Sequence, residues 1–305
     1  MGTVAGALAP IFLLILIGHA LRRFELVPAA FWLPAERVTY VLFFPCLIVD
    51  ELARANLAAF DVLPMAAALV VATLAAAALL LAGRRAVGLD GPAFTSVFQG
   101  GIRFNTYVGL AAARALFGAP GLTLTAVGIA LLIPLVNVLS IAVLSGHGQD
   151  AKGTNARAIL GGLVRNPLIV AAVVGAVLTL SGAGKPPLIG DVVEILARAA
   201  LPLGLLSVGA GLDLGAARSA GRGVLVSSVV KLLLLPALTA AACVAFGVEG
   251  LAFTVAVLFN ALPCAPSAYI LARQMGGDHT LMATVITVQT LLAALSLPLV
   301  LVVLG

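Results

Sequence analysis

The chain has 305 residues, 62% of them hydrophobic and only 10% charged, and its 17 Lys and Arg outnumber 12 Asp and Glu for a formal charge of +5. A water-soluble domain of that composition would expose a large apolar surface, so the balance argues against soluble enzymes and points to an all-α polytopic membrane protein. The positive surplus does not imply a nucleic-acid partner, because the basic residues are scattered among short connections where they orient a chain in a bilayer.

Apolar runs separated by charge or Gly/Pro punctuation predict ten transmembrane spans at 4–21, 34–52, 61–82, 92–115, 119–145, 157–181, 187–212, 220–246, 249–273 and 279–304. Each supplies the roughly 20 residues that a hydrocarbon crossing needs. The first run continues into Arg22 and Arg23 with no small-residue cleavage signal, so it reads as a retained span. Arg22, Arg23, Arg37, Arg84, Arg85, Lys152, Arg157, Arg218, Arg222 and Arg273 fall on one side, and Arg54, Arg114 and Lys185 on the other. The positive-inside rule makes the first side cytoplasmic and leaves both termini outside. The hydrophilic stretch Gly146 to Arg157 separates two groups of five spans, giving a first repeat at 1–145, a cytoplasmic linker at 146–156 and a second repeat at 157–305. Five is odd, so the second repeat runs inverted relative to the first.

Pro45 in span two corresponds broadly to Pro202 in span seven, and each is expected to open its helix by removing one backbone hydrogen bond, as a kink or as part of a substrate path. Asp50 and Glu51 are expected to face the interface or water, with a cation or proton role as the alternative. Span three is plain packing helix. Span four is interrupted: Gly100 and Gly101 loosen it, and Arg103, Asn105, Thr106 and Tyr107 follow. Arg103 stays protonated and either attracts an anion or snorkels toward the cytoplasm. Asn105 lines the path by capping freed backbone or contacting the solute. Asn137 in span five and Gln289 in span ten are path or coupling candidates that satisfy one another, opened backbone or a permeating solute.

In span six, Asn166 before Pro167 reads as a helix cap beside the interfacial Arg165, and in span seven Glu194 and Arg198 are spaced to pair. Lys231 in span eight snorkels, pairs with an acid or adds positive potential to the path. Span nine carries Asn260, Pro263, Cys264, Pro266 and Ser267, and two close prolines rule out an unbroken helix. Sliding span four onto span nine by 159 positions superposes Asn105 on Cys264, Tyr107 on Pro266 and Arg114 on Arg273. Two broken spans in opposite repeats place half-helix ends together near midmembrane, where positive dipole ends, Asn105 and Arg103 suit an organic anion. Cys46, Cys243 and Cys264 read as buried small residues, the three scattered histidines give no metal site, and Ser267 has no base in sequence to make it a nucleophile.

RFNTYVGLA at Arg103 to Ala111, RNPLI at Arg165 to Ile169 and ALPCAPSAYILARQMGGD at Ala261 to Asp278 resemble the auxin efflux carrier family in its bacterial malonate and malate permease branch, within the superfamily that includes bile acid/sodium symporters. The resemblance covers essentially the whole chain. It implies ten helices in two inverted five-helix repeats, with broken helices four and nine crossing. It further implies a scaffold of helices one, two, six and seven, and a transport domain of three to five and eight to ten that moves a carboxylate elevator-fashion. The positions matching the family's crossing are Asn105, Thr106, Tyr107, Pro263, Cys264, Pro266 and Ser267; Arg103 and Asn260 complete the expected substrate site from the residue reading. Phe104 and Thr106 flank Asn105 where plant relatives carry a proline, which argues against auxin as substrate. Membrane lipid, a small organic anion and a second copy in a homodimer are the implied partners, with no cofactor beyond a coupling sodium ion or proton in the symport alternative.

Overall fold

The computed structural model describes residues 2–54, 62–149, 166–181, 184–185, 187–217 and 220–304, and among them there is no β-strand. The first half contains α1 (Gly2–Arg23), α2 (Ala29–Val38), a π turn (Thr39–Phe43) leading into α3 (Phe44–Ala53), α4 (Val62–Ala82), the short α5 (Arg84–Val87), α6 (Gly91–Ile102) and α7 (Thr106–His147). The second contains α8 (Pro167–Leu180), α9 (Ile189–Ala210), the short α10 (Leu214–Ala217) and α11 (Arg222–Val229), followed by a π turn (Val230–Leu234) into α12 (Leu235–Ala245). It ends with α13 (Gly250–Ala261), α14 (Ser267–Gln274) and α15 (His279–Val303). Among the described residues, seven helical stretches have the length and apolarity to cross a membrane. One of these, Gly91–His147, is interrupted at Arg103–Asn105 and turns again at Gly118, whose φ of 63° is open to glycine but strained for other residues.

Helix starts follow local chemistry. Asp90, Asn105, Asn166 and Asp278 each accept a hydrogen bond from a backbone N–H in the first turn of α6, α7, α8 and α15, satisfying donors that a helix leaves free. The half-helices α6 and α13 both have 12 residues; Gly250 stands 159 positions after Gly91, and Ala261 stands 159 after Ile102. That is the displacement at which spans four and nine superpose in sequence.

Several boundaries differ from expectation. α7 runs on to His147, into the expected linker, while residues 150–165, including Lys152, Arg157 and Arg165, lie outside the described residues, as does Arg218. Pro202 does not open a helix: it sits inside α9, which continues through it. Pro45 also leaves its helix connected, and the ladder accommodates the missing N–H by widening into the preceding π turn. The helix that distorts in the same way is the one carrying Pro236, also two residues after a π turn.

Packing divides the helices into two groups. α1, α2–α3, α8 and α9 lie chiefly against one another, and α4, α6, α7, α11–α12, α13 and α15 do likewise. In the first group α1 and α9 approach backbone to backbone: a Cβ added at Gly18 would strike the Leu206 carbonyl, and one at Gly209 the Ile15 carbonyl. Gly209→Val should therefore destabilise the protein by about 1–3 kcal/mol through overpacking. Thermal unfolding in detergent should show a lower midpoint for Gly209→Val and an unchanged one for Gly6→Val, whose added Cβ would meet nothing within 4 Å.

Candidate functional site

The two interruptions meet. Arg103, Phe104 and Asn105 link α6 to α7, residues 262–266 link α13 to α14, and the Asn105 N–H donates to the Pro263 carbonyl at 2.8 Å. Asn105 also turns its side-chain oxygen onto the N–H groups of Tyr107 and Val108, at 3.0 and 3.3 Å. One residue thus caps the start of α7 and ties it to the other broken helix. Gln289, fully buried on α15, joins the breaks from behind: its Oε1 accepts from the Cys264 N–H at 2.9 Å and its Nε2 donates to the Gly100 carbonyl at 3.0 Å. In a membrane interior such backbone groups have no water to turn to, so these bonds hold the crossing together.

In front of the crossing lies a cavity of about 780 Å³ lined by Arg103, Asn105, Thr106, Tyr107, Pro266 and Ser267, all expected site residues, together with Asn137. Arg103 is 7% exposed and does not snorkel. Its guanidinium donates to Asn137 Oδ1 at 2.8 Å and to Ser267 Oγ at 3.1 Å, which aims it across the break, while its Nε and the Asn105 Nδ2 have no hydrogen-bond partner among the described residues. Three helix N-termini reach this cavity: α7 through Asn105 and Thr106, α14 through Pro266 and Ser267, and α8 through Asn166 and Leu168. Each brings the positive end of a helix dipole. The rest of the wall includes the apolar Phe104, Ile133 and Val136.

Asn260, Pro263 and Cys264, expected on the substrate path, are absent from this wall. They lie behind the crossing, where the Asn260 side-chain amide donates to Thr239 at 2.8 Å and Cys264 is fully buried. Asn137 and Gln289 do not satisfy one another, because Arg103 claims one and opened backbone the other. Lys231 neither snorkels nor forms an ion pair among the described residues; it is 0% exposed and donates to the Asn260 carbonyl at 3.1 Å. Sequence reading missed Tyr40 as a wall residue: its hydroxyl accepts from Asn166 Nδ2 at 3.1 Å, a contact spanning 126 positions for which no local signal exists.

A second cavity, of about 550 Å³, lies at the far end of the α2–α3 stack and is bordered by Asp50, Glu51, Arg54, Arg114, Glu194 and Arg198. Asp50 and Glu51, expected at the interface or in water, border this cavity and are 7% and 9% exposed. Asp50 pairs with Arg54 at 3.0 Å and with Lys185, Glu51 pairs with Arg114 at 2.8 Å, and Glu194 takes Arg54 and, as its spacing predicts, Arg198 at 2.9 Å. Pairing is what makes burial of these charges tolerable. Between the cavities the Tyr107 ring stacks on Phe44 with centroids 4.5 Å apart, and one turn further along α3 Leu47 already faces the second cavity.

Residues 154–301 match the family model described as membrane transport protein. Over 305 residues the chain is 26% identical to an uncharacterized transporter of Methanothermobacter thermautotrophicus, the match covering 98% of this chain and 97% of that protein. Both matches support a membrane transporter. As a transporter and not an enzyme, it needs no nucleophile at Ser267, whose hydroxyl instead holds Arg103. For this transporter, Gln289→Ala should remove two buried bonds and leave the Gly100 carbonyl and the Cys264 N–H unpartnered, a loss of about 2–4 kcal/mol. The expected result is a clear fall in the detergent melting midpoint, against little change for Gln274→Ala at the exposed rim of the first cavity.

Proposed function

We propose that this transporter moves a small organic anion, a carboxylate, across the bacterial inner membrane by elevator-like alternating access. The carrying observation is the convergence of three helix N-termini and the Arg103 guanidinium on one cavity whose remaining wall is largely apolar. Dipole ends and a fixed cation match a carboxylate, and the apolar wall matches its carbon body.

The 159-residue displacement that relates α6 to α13 also supports ten crossings in two inverted five-helix repeats, 1–145 and 157–305. The two packing groups support a scaffold of spans one, two, six and seven and a moving domain of spans three to five and eight to ten. Tyr40 and Asn166 belong to the first group, while Arg103 and Ser267, the latter on α14 packed against α6 and α15, belong to the second, so sliding one against the other would carry the bound anion past the Phe44–Tyr107 stack. With both termini outside, the 780 Å³ cavity, rimmed by Arg37 and Gln274, opens to the cytoplasm. A homodimer, which the family resemblance implies, is part of the same proposal.

Cell-negative potential favours outward movement of an anion by about 2.3 kcal/mol per charge per 100 mV, sufficient for uniport. Coupled uptake with sodium or a proton would need a cation site. Of the candidates read from sequence, Asp50 and Glu51 are in ion pairs and Gln289 is on backbone, which leaves Glu36 on the wall of the 780 Å³ cavity as the carboxylate for the symport alternative.

Proteoliposomes with a clamped membrane potential and a panel of labelled mono- and dicarboxylates test this reading. Saturable, voltage-following flux independent of sodium and proton gradients is expected. Arg103→Gln should lower it about tenfold or more, corresponding to about 1.4 kcal/mol or more of lost anion attraction. Asn105→Asp keeps a side chain able to cap α7 and should melt like the parent, yet adds negative charge to the cavity wall and should lower flux to a similar degree. Flux that requires an inward sodium or proton gradient would replace uniport with symport, and no flux for any carboxylate from folded protein would overturn the substrate class.

A further inference from the structure

The crossing has negative ends as well as positive ones. While the N-termini of α7 and α14 face the cavity, the C-termini of α6 and α13 point their last carbonyls into the protein on the other side. The Gly100 carbonyl at the end of α6 is taken by the neutral amide of Gln289. The Asn260 carbonyl at the end of α13 is taken by an amine, Lys231 Nζ, at 3.1 Å.

Lys231 is an expensive choice for that position. It is among the largest fully buried side chains of the molecule, and among the described residues it has no acidic partner. Withdrawing an ammonium from water costs several kcal/mol unless fixed oxygens replace its hydration. One oxygen does so directly, the Asn260 carbonyl; on the same elements Asn260 Oδ1, Ser228 Oγ, one turn before Lys231, and both amide atoms of Gln99 on the last turn of α6 are buried without a hydrogen-bond partner among the described residues. That turn lies directly against the helix carrying Lys231, since a Cβ added at Gly100 would touch Ser227 and one at Gly101 would touch Val230. The π turn that carries Lys231 packs against both α6 and α13. Carbonyl, amide and hydroxyl oxygens, the groups these elements carry beside the negative helix ends, are the ligand types a hard cation takes.

We propose that the Lys231 ammonium is a tethered cation, filling the place at the C-terminal ends of α6 and α13 that a dissociable alkali-metal ion would otherwise occupy. The crossing then carries its own counter-charge, and an anion can bind on the opposite face with no inorganic ion bound. This consequence for transport rests on the anion-carrier reading, whereas the charge balance at the crossing belongs to the resting protein and is measurable without transport.

The test is the melting midpoint of purified full-length protein in sodium, lithium, potassium or choline chloride at equal ionic strength. The parent protein should be indifferent to the cation. Lys231→Ala empties the place while keeping the oxygens, so it should melt lower in choline and recover by roughly 4 °C or more, saturably, in at least one alkali salt. Lys231→Met fills the space with an apolar chain and should melt low in every salt. Lys231→Gln keeps a donor for the Asn260 carbonyl without a charge and should melt below the parent, which keeps the test decisive if Lys231→Ala does not fold. An alkali-dependent midpoint in the parent, equal midpoints for Lys231→Ala in choline and alkali salts, or a Lys231→Gln variant as stable as the parent would each overturn the proposal. In proteoliposomes Lys231→Ala flux should acquire an alkali-ion requirement absent from the parent. Absence of carboxylate flux in the parent would count against the anion-carrier reading and leave the melting result to stand for Lys231 by itself.

Discussion

Two helices that stop in the middle of a membrane protein expose backbone donors and acceptors where no water can reach them, and that constraint governs the rest of this structure. Each freed group accounted for at the crossing has a named partner. Asn105 covers the first donors of α7 with its side chain and uses its own N–H to hold the Pro263 carbonyl. Gln289 covers one donor and one acceptor on opposite breaks, and Lys231 covers an acceptor at the end of α13. The polar residues embedded in otherwise apolar helices are there because the broken backbone needs them.

The same geometry sorts charge. Helix N-termini and Arg103 face the open cavity, and helix C-termini face the buried side with Gln289 and Lys231. A cavity with Arg103 and three helix N-termini on one wall, Glu36 and Arg37 also on its lining and a largely apolar remainder, is suited to a solute that is anionic at one end and greasy elsewhere. The ion pairs of Asp50, Glu51 and Glu194 at the opposite end act differently, setting bases against the acids that border the second cavity.

Much of this was legible in the residues. Apolar runs and their punctuation marked the helices, since a segment long enough and apolar enough to cross a bilayer is recognisable from composition. The interruptions of spans four and nine were legible because glycine, proline and asparagine act on their own backbone within a few residues, and the 159-residue displacement found between them holds for the ends of α6 and α13. The Asn166 cap and the Glu194–Arg198 pair were legible for the same reason, being contacts within one turn. Proline was the unreliable signal. Pro202 was absorbed by a regular helix and Pro45 by a π turn, because a missing N–H can be accommodated by local widening as well as by a break.

The sequence by itself determined the helical membrane architecture, the positions of the two breaks and the types of residue placed at them, all of which follow from interactions between near neighbours in the chain. Only the tertiary structure decided which polar residue meets which. Arg103 found Asn137 and Ser267, Gln289 found both breaks, Tyr40 joined Asn166, and Asn260, Pro263 and Cys264 fell behind the crossing instead of on the cavity wall. Those assignments depend on which face each helix turns toward its neighbours. That rotation is set by packing between helices far apart in the chain, such as the close approach of α1 and α9 through Gly18 and Gly209, and no local pattern of residues encodes it.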